Sequence, residues 1–531
     1  MANALNGEKG YTQASGNYSA TSQGSNLDAQ GSLLLQSAGD MHIQGSTVSG
    51  LRDDGEGEVQ VQGSTALLAG TLINPLDGQI VLENDEANLS IIAGENHHSS
   101  YYEKEKFGVD YLGAAGGALT QMAGAATGVF SGDFSGPDDL PDDVSIKREG
   151  EEQRTESVTL NQSVVQDSQH LTLSAGNDMT AVASQILSGG NMAMTAGGDV
   201  NLAAGLETLS DYQASYGNSF DNFTGGYDRG RLYAGIEGER YREETLFEQG
   251  KALGSLLQVS GLINMQVDGD VNVIGSDFIA GGLDADIGGE MRFGAAQEYE
   301  RTTHKSTNED TSLTAGVGNS YVDAAYAADD FVKASEDVKR AYDALQAAKN
   351  DPRITDISDY KANLTLALLQ QQVVGIQAAT SVSGAIENAP AFGFYGDVQM
   401  ATETTEHTSS SEALTHRGSQ VQLGAGGMNL KGEALTLQGS RLDILDGGGL
   451  DLDVDRFTVE AVADTYSNQS STETHTSTLT VASSSRSNLA GAAAIDALSG
   501  GLGTQSSEQQ SQSQYWQYGV VNVDGLMNLD V

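Results

Sequence analysis

Along most of this chain, apolar residues alternate with small polar ones, then give way to a Gly-rich turn and an Asp or Asn. The phrase reads Leu33-Leu34-Leu35-Gln36-Ser37-Ala38-Gly39-Asp40 and returns as Leu171-Thr172-Leu173-Ser174-Ala175-Gly176-Asn177-Asp178. Met194-Thr195-Ala196-Gly197-Gly198-Asp199, Met265-Gln266-Val267-Asp268-Gly269-Asp270 and Val421-Gln422-Leu423-Gly424-Ala425-Gly426-Gly427 repeat it. Period-two alternation predicts strands with one buried face. Asp178 and Asp199 stand 21 positions apart, and a repeat near that length with Gly turns predicts an all-β stacked solenoid. Each coil would pair in parallel with its neighbours, and roughly 15 coils at about 4.8 Å would make a rod on the order of 70 Å long.

Two textures alternate along the chain. Solenoid text fills blocks at residues 1–100, 158–210, 256–295 and 420–463, and a fifth block starts at 515–531. Between them lie an excursion and linker at 101–157, hairpin excursions at 211–255 and 296–323, a helical insertion at 324–390, and excursions at 391–419 and 464–514. Tyr299 to Val317 and Thr478 to Ser483 read as polar hairpin strands. From Ala324 to Lys349, Phe331, Ala334, Val338, Ala341, Tyr342, Leu345 and Ala348 recur at helical spacing and make one apolar stripe. Asn350-Asp351-Pro352 ends that helix, and a second, from near Ser358 through Val373, would fold back on it as a hairpin. Gly113 to Phe130 and Asn488 to Leu502 read as shorter Ala/Gly-rich helices, and Gly132 to Asp143 as a linker. A His-x-Ser pattern marks four places, His98, His304, His407 and His475, read as polar pivots where the chain leaves the coil.

Composition narrows the function. The chain has 66 Gly, 5 Pro and no Cys in 531 residues, which suits tight corners and intact ladders. Its formal charge of −47 repels nucleic acid and anionic membranes. Without Cys there is no disulfide scaffold, thiol nucleophile or Cys-ligated metal. The start, Met1 to Gly7, has neither a basic nor an apolar run, so no signal peptide is read there. Met1 reads as an introduced start, and the chain as an interior fragment of something larger.

Catalytic constellations are missing: there is no Gly-x-Ser-x-Gly elbow, no His-Glu-x-x-His, no Walker loop and no Gly-x-Gly-x-x-Gly after a strand. No catalytic residue, cofactor or metal is assigned. Asp40, Asp178, Asp199 and Asp270 are expected to cap turns by accepting bonds from nearby backbone N–H groups. The four histidines stack into a metal-binding or pH-sensitive seam or are repeat residues on a polar surface. In the tract Asp443 to Asp455, Asp451, Asp453 and Asp455 alternate with Leu450, Leu452 and Val454, as on the wet face of a strand rather than in a calcium loop. Tyr101-Tyr102 and Tyr515-Trp516-Gln517-Tyr518 are either contact patches or covers for the rod's interior. The helical insertion either packs along the rod or carries recognition.

The recurrence of these coils, each block followed by a Ser/Thr-rich excursion, resembles the haemagglutinin repeat of filamentous haemagglutinin-like exoproteins of the Gram-negative two-partner secretion pathway. The resemblance covers most of the chain except the helical insertion. It implies a right-handed parallel β-helix forming the shaft of a large secreted, surface-attached protein. It also implies an outer-membrane secretion partner for the parent protein. Relatives act as adhesins or as stalks of contact-dependent growth inhibition effectors that deliver a C-terminal toxin. The partner so implied is the surface or outer membrane of a target cell. Two other readings compete: excursions that engage a target outer membrane, and a polysaccharide-acting β-helix enzyme.

Overall fold

Alternating side chains need a surface to bury against, and here each short strand finds one in a copy of itself. The computed structural model describes residues 10–29, 31–50, 64–73, 79–110, 145–228, 231–350, 371, 394–484 and 497–531. Ser163–Asp167, His170–Ala175 and Met179–Val182 form one coil, and Ser184–Ser188, Asn191–Ala196 and Val200–Ala203 the next. The two pair in parallel, with Val165 opposite Ile186, Leu173 opposite Met194 and Ala181 opposite Leu202. Extended over the described residues, one ladder runs Leu27, Val48, Val165, Ile186, Leu257, Phe278, Val421, Leu442, Val521. A second runs Leu35, Leu67, Leu173, Met194, Met265, Ala285, Leu430, Leu452, Leu529. These columns and a third make one continuous core. Inside it Phe278 and Phe293 meet edge to face, with centroids 6.2 Å apart. Nine rungs give a stack of about 40 Å, not the 70 Å expected, because much of the chain goes elsewhere.

It goes into a second sheet. Nine long strands, β1 (Gly10–Ala20), β2 (Gly94–Asp110), β3 (Ser145–Asn161), β4 (Gly205–Asp228), β5 (Arg231–Leu253), β6 (Glu290–Asn319), β7 (Phe394–Gly418), β8 (Val462–Ser484) and β9 (Ala497–Gln517), pair in chain order. Every pairing is antiparallel. The excursions are therefore not separate hairpins. Each leaves after every second coil and zips to the one before it. The two sheets share backbone: Met291 to Gly294 of β6 pair in parallel with Val271 to Ile274, and from Ala295 onward β6 pairs with β7.

Several boundaries move. Residues 94–100, read as solenoid, belong to β2, and residues 497–502, read as the end of a helix, belong to β9. A small hairpin, Thr71–Ile73 with Ile80–Leu82, interrupts the second coil. Helix α1 (Ser320–Asn350) continues from β6. Ala334 and Leu345 are buried on it with Val338 and Ala341 partly so, while Phe331 and Tyr342 face water, so the stripe is narrower than the spacing predicts. The helix read at 113–130 and the linker at 132–143 lie outside the described residues. So does the second helix of the insertion, except for Gln371, whose Nε2 donates to Ser335 Oγ at 2.9 Å.

The corner where the sheet joins the stack is built from buried serines. The N–H of Ser184 donates to Ser255 Oγ, that of Ser255 to Ser276 Oγ, that of Ser276 to Ser419 Oγ and that of Ser419 to Ser440 Oγ, all at 3.1–3.2 Å. Ser419 Oγ in turn lies 2.8 Å from the carbonyls of Val273 and Gly294. At direct turns the preceding residue is left-handed: Gly45, Gly275 and Gly439 at φ 55–58°, and Ala183 at φ 46°. Removing one hydroxyl from this ladder strands a buried N–H. Ser419→Ala is expected to cost about 1–3 kcal/mol and the exposed Ser506→Ala less than about 0.5 kcal/mol, read as urea midpoints. A Cβ at Gly275 would overlap Ala296. Gly275→Ala should therefore cost more than about 1 kcal/mol, while Ala183→Gly should be neutral or stabilising.

Candidate functional surface

Cross-strand partners share a face of a sheet, so the register assigns every side chain of β1–β9 to one of two sides. Both sides are largely polar. On the first, Arg154 lies over the Tyr101 ring (5.6 Å to the centroid) and Arg242 over Tyr216 (5.9 Å). Glu105 pairs with Arg148, and Arg242 with Glu244. Tyr212 Oη donates to Glu244 Oε1 at 3.2 Å. The Arg148 guanidinium, by its hydrogen bond, holds the Glu105 carboxyl below the usual carboxylate range. The hydrogen bond from Tyr101 to Glu103 raises the Tyr101 phenol, and partial burial, then the charges of Glu105 and Glu103, raise Tyr216. Three tyrosines cover glycines directly opposite them: Tyr216 over Gly150, Tyr241 over Gly217 and Tyr299 over Gly250. A ring lying on a bare backbone restores the packing that glycine lacks.

The histidines read as pivots are not at the points of departure. His98, His304, His407 and His475 all sit within strands of this sheet. His304 Nδ1 is 3.1 Å from Thr245 Oγ1, His407 Nδ1 2.9 Å from Thr472 Oγ1, and His475 Nδ1 3.3 Å from Thr504 Oγ1. By register His98, His304 and His407 face one side and His475 the other, with His98 on β2 and the rest on β6–β8. They do not form one seam. Among the described residues no group of three or more His, Asp or Glu is placed to hold a metal.

The turn aspartates bond between coils rather than within their own turns. Asp40 Oδ1 accepts the N–H of Asn88, Asp178 that of Asp199, Asp199 that of Asp270, and Asp270 that of Glu290, each at 2.8 Å. Asn88 Oδ1 accepts the N–H of Asp178 at 3.1 Å. Asp451 and Asp453 are exposed beside buried Leu450, Leu452 and Val454, and Asp455 is exposed too. Asp443 bonds Arg441, which lowers its pKa, and accepts Asn522 Nδ2 at 2.7 Å. Tyr515, Trp516 and Tyr518 are exposed at the sheet's last strand and just beyond it.

Two further features lie toward the distal end. On the His304 side, Glu239, Asp310 and Glu403 stand directly opposite one another on three adjacent strands, lining an open groove of about 370 Å³. On the Tyr101 side, Ile236, Leu313, Met400 and Leu479 form one row across four strands, and each is 41–51 % exposed. Sequence reading missed both, as well as the Tyr-over-Gly pairs, because each depends on the pairing register. The serine ladder did leave a signal: Gly or Ala before Ser, with the serines 21 residues apart at 255/276 and 419/440.

The family described as Hemagglutinin repeat matches residues 1–69, 55–219, 234–340 and 370–475. No curated protein matches the chain. Among solved structures, the ferric yersiniabactin uptake receptor of Yersinia pestis is similar at 7 % identity and a TM-score of 0.18, over 84 % of this chain. The aligned part spans 37 % of the receptor's length. A likeness this slight bears on neither fold nor function. Among the described residues no helix is long and apolar enough to cross a membrane.

Like charges directly opposite on a sheet repel. Asp310→Asn is expected to raise stability by a few tenths of a kcal/mol, about 0.2–0.5, at low ionic strength, with the gain fading in 1 M salt. Arg148→Gln should return Glu105 to the ordinary carboxylate range in a carbon-detected NMR titration. Because Glu105 is depressed when folded, its pairing is complete above that range and is lost as the pH falls through the folded value.

Proposed function

The chain belongs to the Hemagglutinin repeat family, secreted adhesin-like structural proteins rather than enzymes, and from that premise we propose that it is a shaft and contact module of a large cell-surface exoprotein of a Gram-negative bacterium. The stacked coils are read as a right-handed parallel β-helix that provides reach. The antiparallel sheet they carry provides the contact surface. The observation that carries this reading is the sheet itself: nine strands, rising from alternate coils, with two wet faces and an apolar row at the far end. A fold that needed only length would have no use for so much unburied sheet.

Two roles fit such a module, adhesion to a neighbouring cell and contact-dependent delivery of a C-terminal toxin to it. In both the parent protein leaves its own cell through an outer-membrane secretion partner, and the target is a cell surface. The row Ile236, Leu313, Met400, Leu479 favours a second reading, engagement of the target's outer membrane, since exposed apolar rows mark interaction sites. The groove lined by Glu239, Asp310 and Glu403 has no Lys, Arg or His in its lining to accompany its carboxylates, which gives a polysaccharide-acting enzyme no support there.

The test is binding of the purified chain to intact Gram-negative cells and to protein-free liposomes. It is run beside a variant lacking residues 324–390 and a Leu313→Glu/Leu479→Glu variant. Cell binding lost in the double Glu variant assigns contact to the distal row, and liposome binding lost with it supports membrane engagement. Loss on deletion instead assigns recognition to the helical insertion. Binding by none of the three overturns the contact role and leaves a shaft.

A further inference from the structure

Strands β6 to β9 divide their charge unequally between the two sides of the sheet. On the His304 side one row of the register reads Thr302, Ser411, Asn468, Ser511, and the next reads His304, Ser409, Ser470, Gln509. The two rows that follow toward the tips also hold no carboxylate, lysine or arginine. The same stretch of the Tyr101 side carries Lys305, Glu309, Glu406, Glu473 and Glu508. In a chain of net charge −47, four consecutive uncharged rows stand apart. The first two of them line an open groove of about 360 Å³. Among the described residues, His304 alone of the eight side chains in those two rows makes a side-chain hydrogen bond, to Thr245 at 3.1 Å. In the next two rows His407 bonds Thr472 and Thr405 bonds Thr474, so cross-strand pairing stops where the groove begins. Toward the stack, Tyr466 and Tyr515 follow on the same side, both exposed, and meet edge to face with centroids 5.6 Å apart. Glu300 stands in the row below the groove, and Asp310 and Glu403 lie beyond the uncharged rows.

Hydroxyls and amides both donate and accept hydrogen bonds, whereas carboxylates only accept and ammonium or guanidinium groups only donate. Unpaired groups of that dual kind, spread along a groove beside exposed rings, match a ligand with many hydroxyls and apolar C–H faces. We propose that this groove binds an uncharged saccharide. Ser409, Ser470, Asn468 and Gln509 exchange hydrogen bonds with its hydroxyls, and the Tyr466–Tyr515 pair covers a ring face at the end nearer the stack. An acidic saccharide would find no Lys or Arg here, and Glu300, Asp310 and Glu403 would repel it. A peptide would find neither an open strand edge nor an apolar pocket on this face. With no pair of carboxylates in its lining, the groove holds a saccharide without cleaving it. The inference rests on reading the sheet as a contact surface, and it names the chemistry that one of its faces meets.

The full 531-residue chain is titrated in a calorimeter with neutral oligomers of glucose, mannose, galactose and N-acetylglucosamine, and with polygalacturonate. At least one neutral oligomer is expected to fill a saturable site, and polygalacturonate none. Ser470→Arg, which fills the groove, should abolish that binding. Ser471→Arg, its neighbour on the opposite side, should keep it. Matching urea midpoints for the two variants show that the loss is not misfolding. Tyr466→Ala should weaken binding by about 3- to 10-fold, the worth of one ring contact. If no neutral oligomer binds, if polygalacturonate binds as well as they do, or if Ser470→Arg binds as the parent does, the proposal falls. A dimer of the parent that Ser470→Arg abolishes would give the groove to a second copy and overturn it too. Because the probes are free saccharides, failure here leaves cell contact through the distal row standing, and loss of cell contact leaves this result intact.

Discussion

Everything in this molecule depends on one distance, the 4.7–4.9 Å between neighbouring strands, which is common to parallel and antiparallel ladders. Two coils rise by about 9.6 Å, and the two strands of one hairpin are about 9.6 Å wide. A hairpin released after every second coil therefore lands in register beside the previous one. Were hairpins released after every coil, they would have half the width they need; after every third, each would stand alone with two unpaired edges. The observed order of two coils, then one hairpin, held from β2 to β9, lets one backbone build two sheets at a common spacing.

That match puts its demand on the corner. There the chain either turns at once into the next coil or leaves for a full hairpin and returns, and both routes must deliver the next strand to the same place. The serines meet this demand. Ser184, Ser276 and Ser440 follow direct turns, Ser255 and Ser419 follow returning hairpins, and all sit in one hydrogen-bonded column. The hydroxyls of Ser255, Ser276, Ser419 and Ser440 each accept a backbone N–H from an adjacent rung, and all five reach a carbonyl, so the buried corner is satisfied whichever route the chain took. The direct route needs a sharp reversal in addition, hence the left-handed Gly45, Gly275 and Gly439. Ala183 performs the same reversal with a Cβ, a local strain the surrounding ladder holds in place.

The stack was legible in the sequence because its physics is periodic. Buried alternation, Gly turns and a 21-residue recurrence all report the same coil, and Val165, Ile186 and Leu257 occupy the columns that such a pattern requires. The sheet was legible only as polar hairpins. Thr402 to Glu412 offer no buried face, so nothing local says that β7 pairs with both β6 and β8. The histidines misled for a related reason: they recur because the strands recur, and they mark mid-strand rows rather than departures. Asp40 and its counterparts recur because the coils do, and what they bond is the next coil, a partner that no single turn contains.

The division between the two sheets also separates stability from display. Apolar burial is concentrated in the stack, whose columns are shielded on every rung but the ends. The sheet has little core of its own, and a wet two-sided sheet gains little from ladder bonds that water can replace. Its order is lent by the corner at its base and by local devices such as tyrosine rings laid over Gly150, Gly217 and Gly250. Support of that kind is strongest at the bases of the hairpins and weakest at their tips. The apolar row Ile236, Leu313, Met400, Leu479 lies toward the tips, where local opening costs least. A surface that must adapt to a partner benefits from being held by a rigid base rather than by its own packing, and this architecture provides that by building both from one strand spacing.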